Sequence, residues 1–168
     1  MPQIILFIKD DKDIIHKNSD ISCYILSDSL SLSKFQEAIA TGKMVLTIGD
    51  KALEKCKELN LDGIVKEIDV SKPVKVQLKH LREALKKKTL GVIIPARRHE
   101  AMLAGEVEPD FIAFYSDNPN KDDEIILWYN DLFLIPVAWV ANDDNNQTNT
   151  PNTDFIIIDT KKFENFGC

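Results

Sequence analysis

Residues 90–142 read LGVIIPARRHEAMLAGEVEPDFIAFYSDNPNKDDEIILWYNDLFLIPVAWVAN. Three near-continuous apolar runs, Gly91 to Pro95, Phe111 to Tyr115 and Leu134 to Val140, alternate with two stretches of helical spacing. Strands that are apolar on both faces suit a parallel sheet covered by helices, because an antiparallel sheet with one wet face alternates apolar and polar residues. The stretch therefore predicts an α/β protein.

The same alternation extends in both directions. Further strands are expected at Gln3 to Ile8, Cys23 to Leu26, Met44 to Ile48, Gly63 to Ile68 and Asp154 to Ile158. With Leu90 to Pro95, Asp110 to Tyr115 and Ile135 to Val140 they make about eight, each short and rich in β-branched or aromatic residues. Helices are expected from Ser31 to Ala40, with Ser31 or Ser33 as N-cap and Gly42 just past the end, and over Lys51 to Leu59 behind an Asp50 cap. Another follows Pro73, where Val74, Leu78, Leu81 and Leu85 recur at helical spacing and Lys86 to Lys88 complement the C-terminal dipole. Arg98 to Gly105 forms a helix, and Asp122 or Asp123 caps one to about Leu132.

Strands and helices in this order imply right-handed parallel crossovers. About eight strands favour a (β/α)8 barrel, whereas barrels usually take at least ~200 residues and this chain has 168. Residues 9–22 leave room for only one short helix over Ile14 to Lys17. Residues 141–153, ANDDNNQTNTPNT, read as a polar loop, open to local disorder, and nothing after Asp159 is long enough for a full closing helix. The expectation is one domain over residues 1–168, a stripped (β/α)8 TIM-like barrel with helices shortened or missing. An open α/β sheet is the runner-up.

Composition narrows the partners. A net charge of −6 argues against a general nucleic-acid binder. The apolar runs fall short of the ~20 residues of a membrane span, and the N-terminal MPQIILFIKD has no basic leader or cleavage site. Cys23, Cys56 and Cys168 lack metal-ligand spacing and read as reduced thiols of a cytoplasmic protein. The sequon at Asn146 is read as chance.

The segment from Leu90 to Asn142 resembles the second half of thiamine phosphate synthases, in a divergent branch. The likeness rests on Gly91-Val92, Arg98-His99-Glu100-Ala101-Met102, Ala104-Gly105-Glu106, Pro109 to Phe114, Trp128-Tyr129, Leu132-Phe133 and Ile135 to Ala138. Leu46 to Asp50 and Leu61 to Val65 extend it, so it spans roughly Met44 to Asp159. The resemblance implies a transferase of thiamine biosynthesis that joins a thiazole phosphate to a hydroxymethylpyrimidine pyrophosphate. It implies Mg²⁺ on Asp50 and, with a one-residue shift, on Asp69, and a phosphate contact from Lys121. It also implies a degenerate site. Cys23 to Leu30 has no counterpart of the family's Gln-x-Arg-x-Lys run, Val65 stands for a His, and Val140-Ala141-Asn142 and Asp159-Thr160-Lys161 replace the phosphate turns.

Read without the family, chemistry in such a barrel belongs at the C-terminal strand ends. Those ends carry Lys9, Asp10, Asp28, Asp50, Glu67, Asp69, Arg97, Arg98, His99, Ser116, Asp117, Asn142, Asp143, Asp159 and Lys161. Most of the acidic ones equally suit helix caps and turns. Arg97 and Arg98 at a helix N-terminus are the anion candidates, with a surface pair bridging to Glu100 or Glu106 as the plain alternative. His16 and His80 read as helix-surface residues. Trp128, Tyr129 and Phe133 read as core or rim, with a homo-oligomer interface as the alternative. Three readings stay open: an Mg²⁺-dependent enzyme on a phosphorylated small molecule, a catalytically inactive ligand-binding or protein-interaction barrel, and, more weakly, a five-stranded flavodoxin-like regulator. Convergence of Asp50, Asp69, Arg97 and Arg98 on one pocket would separate the first two.

Overall fold

A computed structural model describes residues 3–141 and 153–166. The order is β1 (Gln3–Ile8), β2 (Ile21–Ser27), α1 (Leu32–Ile39), β3 (Met44–Ile48), α2 (Ala52–Leu59), β4 (Gly63–Glu67) and α3 (Val74–Leu85). There follow β5 (Thr89–Pro95), α4 (Arg98–Gly105), β6 (Phe111–Tyr115), α5 (Asp122–Leu132), β7 (Val137–Val140), β8 (Phe155–Asp159) and α6 (Thr160–Phe166). The eight strands pair in sequence order, all parallel, and β8 returns to β1 with Leu6 opposite Ile158, closing a barrel. The stripped (β/α)8 barrel is the fold. The open sheet and the five-stranded alternative are set aside by the β1–β8 pairing.

Two cores follow from the two faces of each strand. Inward residues Ile5, Cys23, Ile25, Leu46, Val65, Ile93, Phe111, Ala113, Ala138 and Ile157 fill the barrel. They include small side chains because the interior of eight short strands is narrow. Gly91 belongs to this economy: a Cβ there would meet the Phe111 ring at 2.1 Å. Outward residues such as Leu6, Tyr24, Ile94, Phe114 and Trp139 pack under the helices. That double burial explains why strands β5 to β7 read as unbroken apolar runs.

The helices depart from the sequence reading in informative places. No helix forms over Ile14 to Lys17; residues 9–20 are irregular. Ile15 is buried there in place of a helical face, and the backbone is tied down by Tyr24 Oη donating to the His16 carbonyl at 2.5 Å. His16 is therefore not a helix-surface residue but lies half-buried against α6, 3.2 Å from Glu164. His80 is exposed on α3 as read. Ser31 caps α1, its hydroxyl accepting from the Lys34 amide. Asp50 does not cap α2: Lys51 holds the N-cap position without a side-chain cap bond, and its own amide donates to the Asp28 carboxylate at 2.7 Å. Asp122 is no cap either. Buried as the first residue of α5, it accepts from the Ser116 hydroxyl at 2.7 Å, and Lys121 holds the N-cap position without a side-chain bond. Beyond Asp159 the seven-residue α6 packs on β1 and β8. Asn142, Asp143, the sequon, Cys168 and all but the ends of the 141–153 loop lie outside the described residues.

Candidate functional site

Every strand runs the same way, so its last inward side chain faces one common mouth. Phe7, Ile48, Ile93, Tyr115, Val140 and Ile157 reach it from six strands, together with Lys9 and Glu67, and line a cavity of about 390 Å³. That volume lies in the small-ligand range. Lys9 is fixed from two sides: its ammonium is 3.8 Å from Asp159 and 5.3 Å from the centre of the Phe7 ring. Tyr115 is half-buried, and desolvation first, then the Glu67 charge, push its phenol pKa upward. It stays a protonated donor across the physiological range. Among the described residues this cavity thus offers apolar walls, one cation, one carboxylate and one phenol.

Beside it lies a second cavity of about 350 Å³, lined by Ile48, Gly49, Asp50, Val65, Lys66, Glu67, Ile68 and Asp69. It brings the two expected metal ligands together. Asp28 shapes this corner: Gly49 has φ +136°, and a Cβ there would sit 2.3 Å from the Asp28 carboxylate. Asp28 accepts from the Lys51 amide, and the Asp50 carboxylate has no hydrogen-bond or ion-pair partner among the described residues. Asp69 differs. Its Oδ1 accepts from the Ser71 hydroxyl at 2.6 Å and the Ser71 amide at 3.0 Å, bonds that hold its pKa below the usual carboxylate value. No three His, Cys, Asp or Glu side chains gather to hold a metal ion among the described residues. Asp50, free of such bonds, is the carboxylate that could hold a cation such as Mg²⁺, which commonly rests on one or two carboxylates and substrate phosphates.

The basic candidates sit elsewhere. Arg97 follows β5, but its Nε donates to Asp117 at 3.0 Å and its guanidinium lies 3.7 Å from Glu100. The Asp117 bond is also the main reason its pKa rises further. Arg98 lies over the Trp128 ring, 5.3 Å from its centre. Lys121 is exposed at the start of α5. None of the three lines either cavity. The position just after β2 is held by Asp28. Phe7 and Tyr115 were not singled out from sequence, although the i, i+2 series Ile5–Phe7 and Phe111–Ala113–Tyr115 ends on them.

Fold and mouth together define a closed parallel (β/α)8 barrel with a small-molecule-sized cavity at its C-terminal end. Solved structures agree on the fold. Tryptophan synthase from M. tuberculosis superposes with a TM-score of 0.64 at 9% identity, over 95% of this chain and 83% of that one. Orotidine 5'-monophosphate decarboxylase from Methanocaldococcus jannaschii gives 0.56 at 16%, over 95% and 89%. No protein-family model matches the chain. Thiamine-phosphate synthase of Erythrobacter litoralis is 27% identical over 124 residues, 68% of this chain and 56% of that protein, which supports a distant relationship. The chain spans little more than half the length of that relative. No helix among the described residues is long and apolar enough to cross a membrane.

Proposed function

We propose that the chain is a ligand-binding barrel of thiamine phosphate synthase ancestry that holds a flat heteroaromatic molecule in its mouth and no longer transfers it from pyrophosphate. One observation carries the reading: among the described residues the 390 Å³ cavity is walled by apolar side chains with Lys9, already paired with Asp159, as its one lining cation, while Lys66 lines only the adjoining cavity. A leaving pyrophosphate concentrates several negative charges, and its stabilisation takes several preorganised cations. Arg97 and Arg98 are engaged outside the cavities, and Asp28 adds negative charge where the resemblance would place Arg and Lys. An aminopyrimidine ring suits the walls. Glu67 would accept from its amino group, and Tyr115 or Lys9 would donate to a ring nitrogen or hydroxyl. Reduced, buried Cys23 and Cys56 agree with a cytoplasmic setting for this role.

Retained transfer is the second reading, favoured by the unpartnered Asp50 carboxylate. There Asp50 would hold Mg²⁺, which supplies charge neutralisation for the departing group. The two readings separate when the chain is incubated with thiazole phosphate, hydroxymethylpyrimidine pyrophosphate and Mg²⁺. The proposal expects no thiamine phosphate above the protein-free background. Product that disappears with Asp50→Ala would overturn it.

A further inference from the structure

Lys86 to Lys88 follow α3, where cations complement the carbonyl end of a helix. In the structure Arg82 takes that role. Its Nη2 donates to the Lys86 and Lys88 carbonyls at 2.8 and 2.7 Å, and its Nη1 donates to Asp110 at 2.9 Å. Lys88 is tied to the loop before β4, its ammonium donating to the Asn60 side chain and the Leu61 carbonyl. The side chains of Lys86 and Lys87 are exposed and have no ion-pair or hydrogen-bond partner among the described residues. Lys86 has φ +56°, a backbone conformation that lysine rarely adopts, and the Arg82 bonds hold the turn in it. Two cations are thus left over on a fixed turn.

That turn forms one wall of an open cleft of about 630 Å³ at the end of the barrel where the strands begin, opposite the mouth. The volume lies in the small-ligand range. Leu85 and Met44, the latter 42% exposed, supply apolar lining, and Thr89 adds a hydroxyl. One carboxylate, Asp62, also lines the cleft and accepts from the Val45 amide at 2.7 Å. Three ammonium groups against that one carboxylate leave a local positive charge on a chain whose net charge is −6.

We propose that this cleft binds a small soluble phosphate monoester with an apolar body. Lys86 and Lys87 hold the phosphate, and Met44 and Leu85 carry the body. A phosphate presents three strong acceptor oxygens, enough for two ammonium groups and the Thr89 hydroxyl together. The apolar wall beside the lysines calls for more than an inorganic anion. The net negative charge of the chain sets an anionic bilayer at a disadvantage.

Phenyl phosphate is the probe, titrated into the full isotope-labelled chain and followed by amide chemical shifts, with inorganic phosphate and phenol titrated in parallel. Phenyl phosphate is expected to move the Lys87 and Thr89 amides with a dissociation constant of about 1 mM. Inorganic phosphate and phenol, each lacking half of the ligand, bind about tenfold more weakly. Lys86→Gln with Lys87→Gln weakens phenyl phosphate about tenfold. Met44→Ser weakens phenyl phosphate and leaves inorganic phosphate as it was. Tyr115→Ala, in the mouth, leaves all these shifts unchanged, so the outcome does not depend on the ligand held there. Amides that stay still at this end, inorganic phosphate bound as well as phenyl phosphate (an adventitious ion only), or an affinity indifferent to both lysines would each overturn the proposal. So would co-sedimentation with phosphatidylglycerol vesicles that is lost with the two lysine changes, since that assigns the patch to a membrane surface.

Discussion

Asp28 accepts the Lys51 amide and packs its carboxylate against Gly49, and this one side chain settles the chemistry of its corner. It holds the Lys51 amide at the entry to α2, while Asp50 beside it has no partner among the described residues, and it places a negative charge at the end of β2. Sequence spacing pointed to Asp50 as the cap because caps are usually local. A carboxylate arriving from the neighbouring strand carries no sequence signal. Cys23 shows the opposite case, a residue whose inertness is set by its place. It lies inside the barrel, where burial first, and the Asp62 charge second, push its thiol up to about 12. Native protein at pH 8 is expected to leave Cys23 unmodified by iodoacetamide, as read by mass spectrometry, while unfolded protein reacts. The sign of the linkage is fixed. The folded pKa lies above the unfolded value, so the thiol favours the fold fully below pH ~9 and ever less as pH rises toward 12. Cys23→Ala should flatten the alkaline fall of stability in urea titrations.

At the scale of elements, the closed end of the barrel repeats one device. Asp62, Asp110 and Asp154 each stand just before an even strand, and each accepts the amide of an early residue on the preceding odd strand. The pairs are Val45 at 2.7 Å, Leu90 at 2.7 Å and Val137 at 3.2 Å. Each also closes the loop through its own amide, to the carbonyls of Val45, Leu90 and Val137. The first quarter keeps only a backbone version, Ile4 donating to the Asp20 carbonyl. Asp110 carries most, since Arg82 also pairs with it at 2.9 Å. Asp110→Ala leaves the Leu90 amide unpaired and is expected to cost about 1–3 kcal/mol in urea unfolding, without changing the mouth. Strand positions were legible because period and burial coincide: all eight expected strands form within a few residues of their expected bounds. The clamp was not, because an Asp before a strand reads simply as a turn residue. The helix expected over Ile14 to Lys17 failed because one buried isoleucine, supported by bonds from β2, covers what a helix would have covered.

For the whole molecule, a stripped (β/α)8 barrel leaves ligand chemistry to the one place every strand shares. The expected barrel made that mouth legible as a location, since chemistry in such a fold belongs at the C-terminal strand ends. The occupants were harder to read. Arg97 and Arg98 stand beside the mouth in sequence, yet neither lines the cavity: Arg97 pairs with Asp117 and Glu100, and Arg98 lies over Trp128. In the proposed function the ring and not the pyrophosphate supplies the binding. Titration calorimetry with hydroxymethylpyrimidine and with its pyrophosphate ester, each in the presence of Mg²⁺, tests it directly. The account expects both to bind, with affinities within about threefold, under ~0.7 kcal/mol, and both weakened by Tyr115→Ala. A pyrophosphate ester bound a hundredfold more tightly, with the advantage abolished by Asp50→Ala, would contradict it.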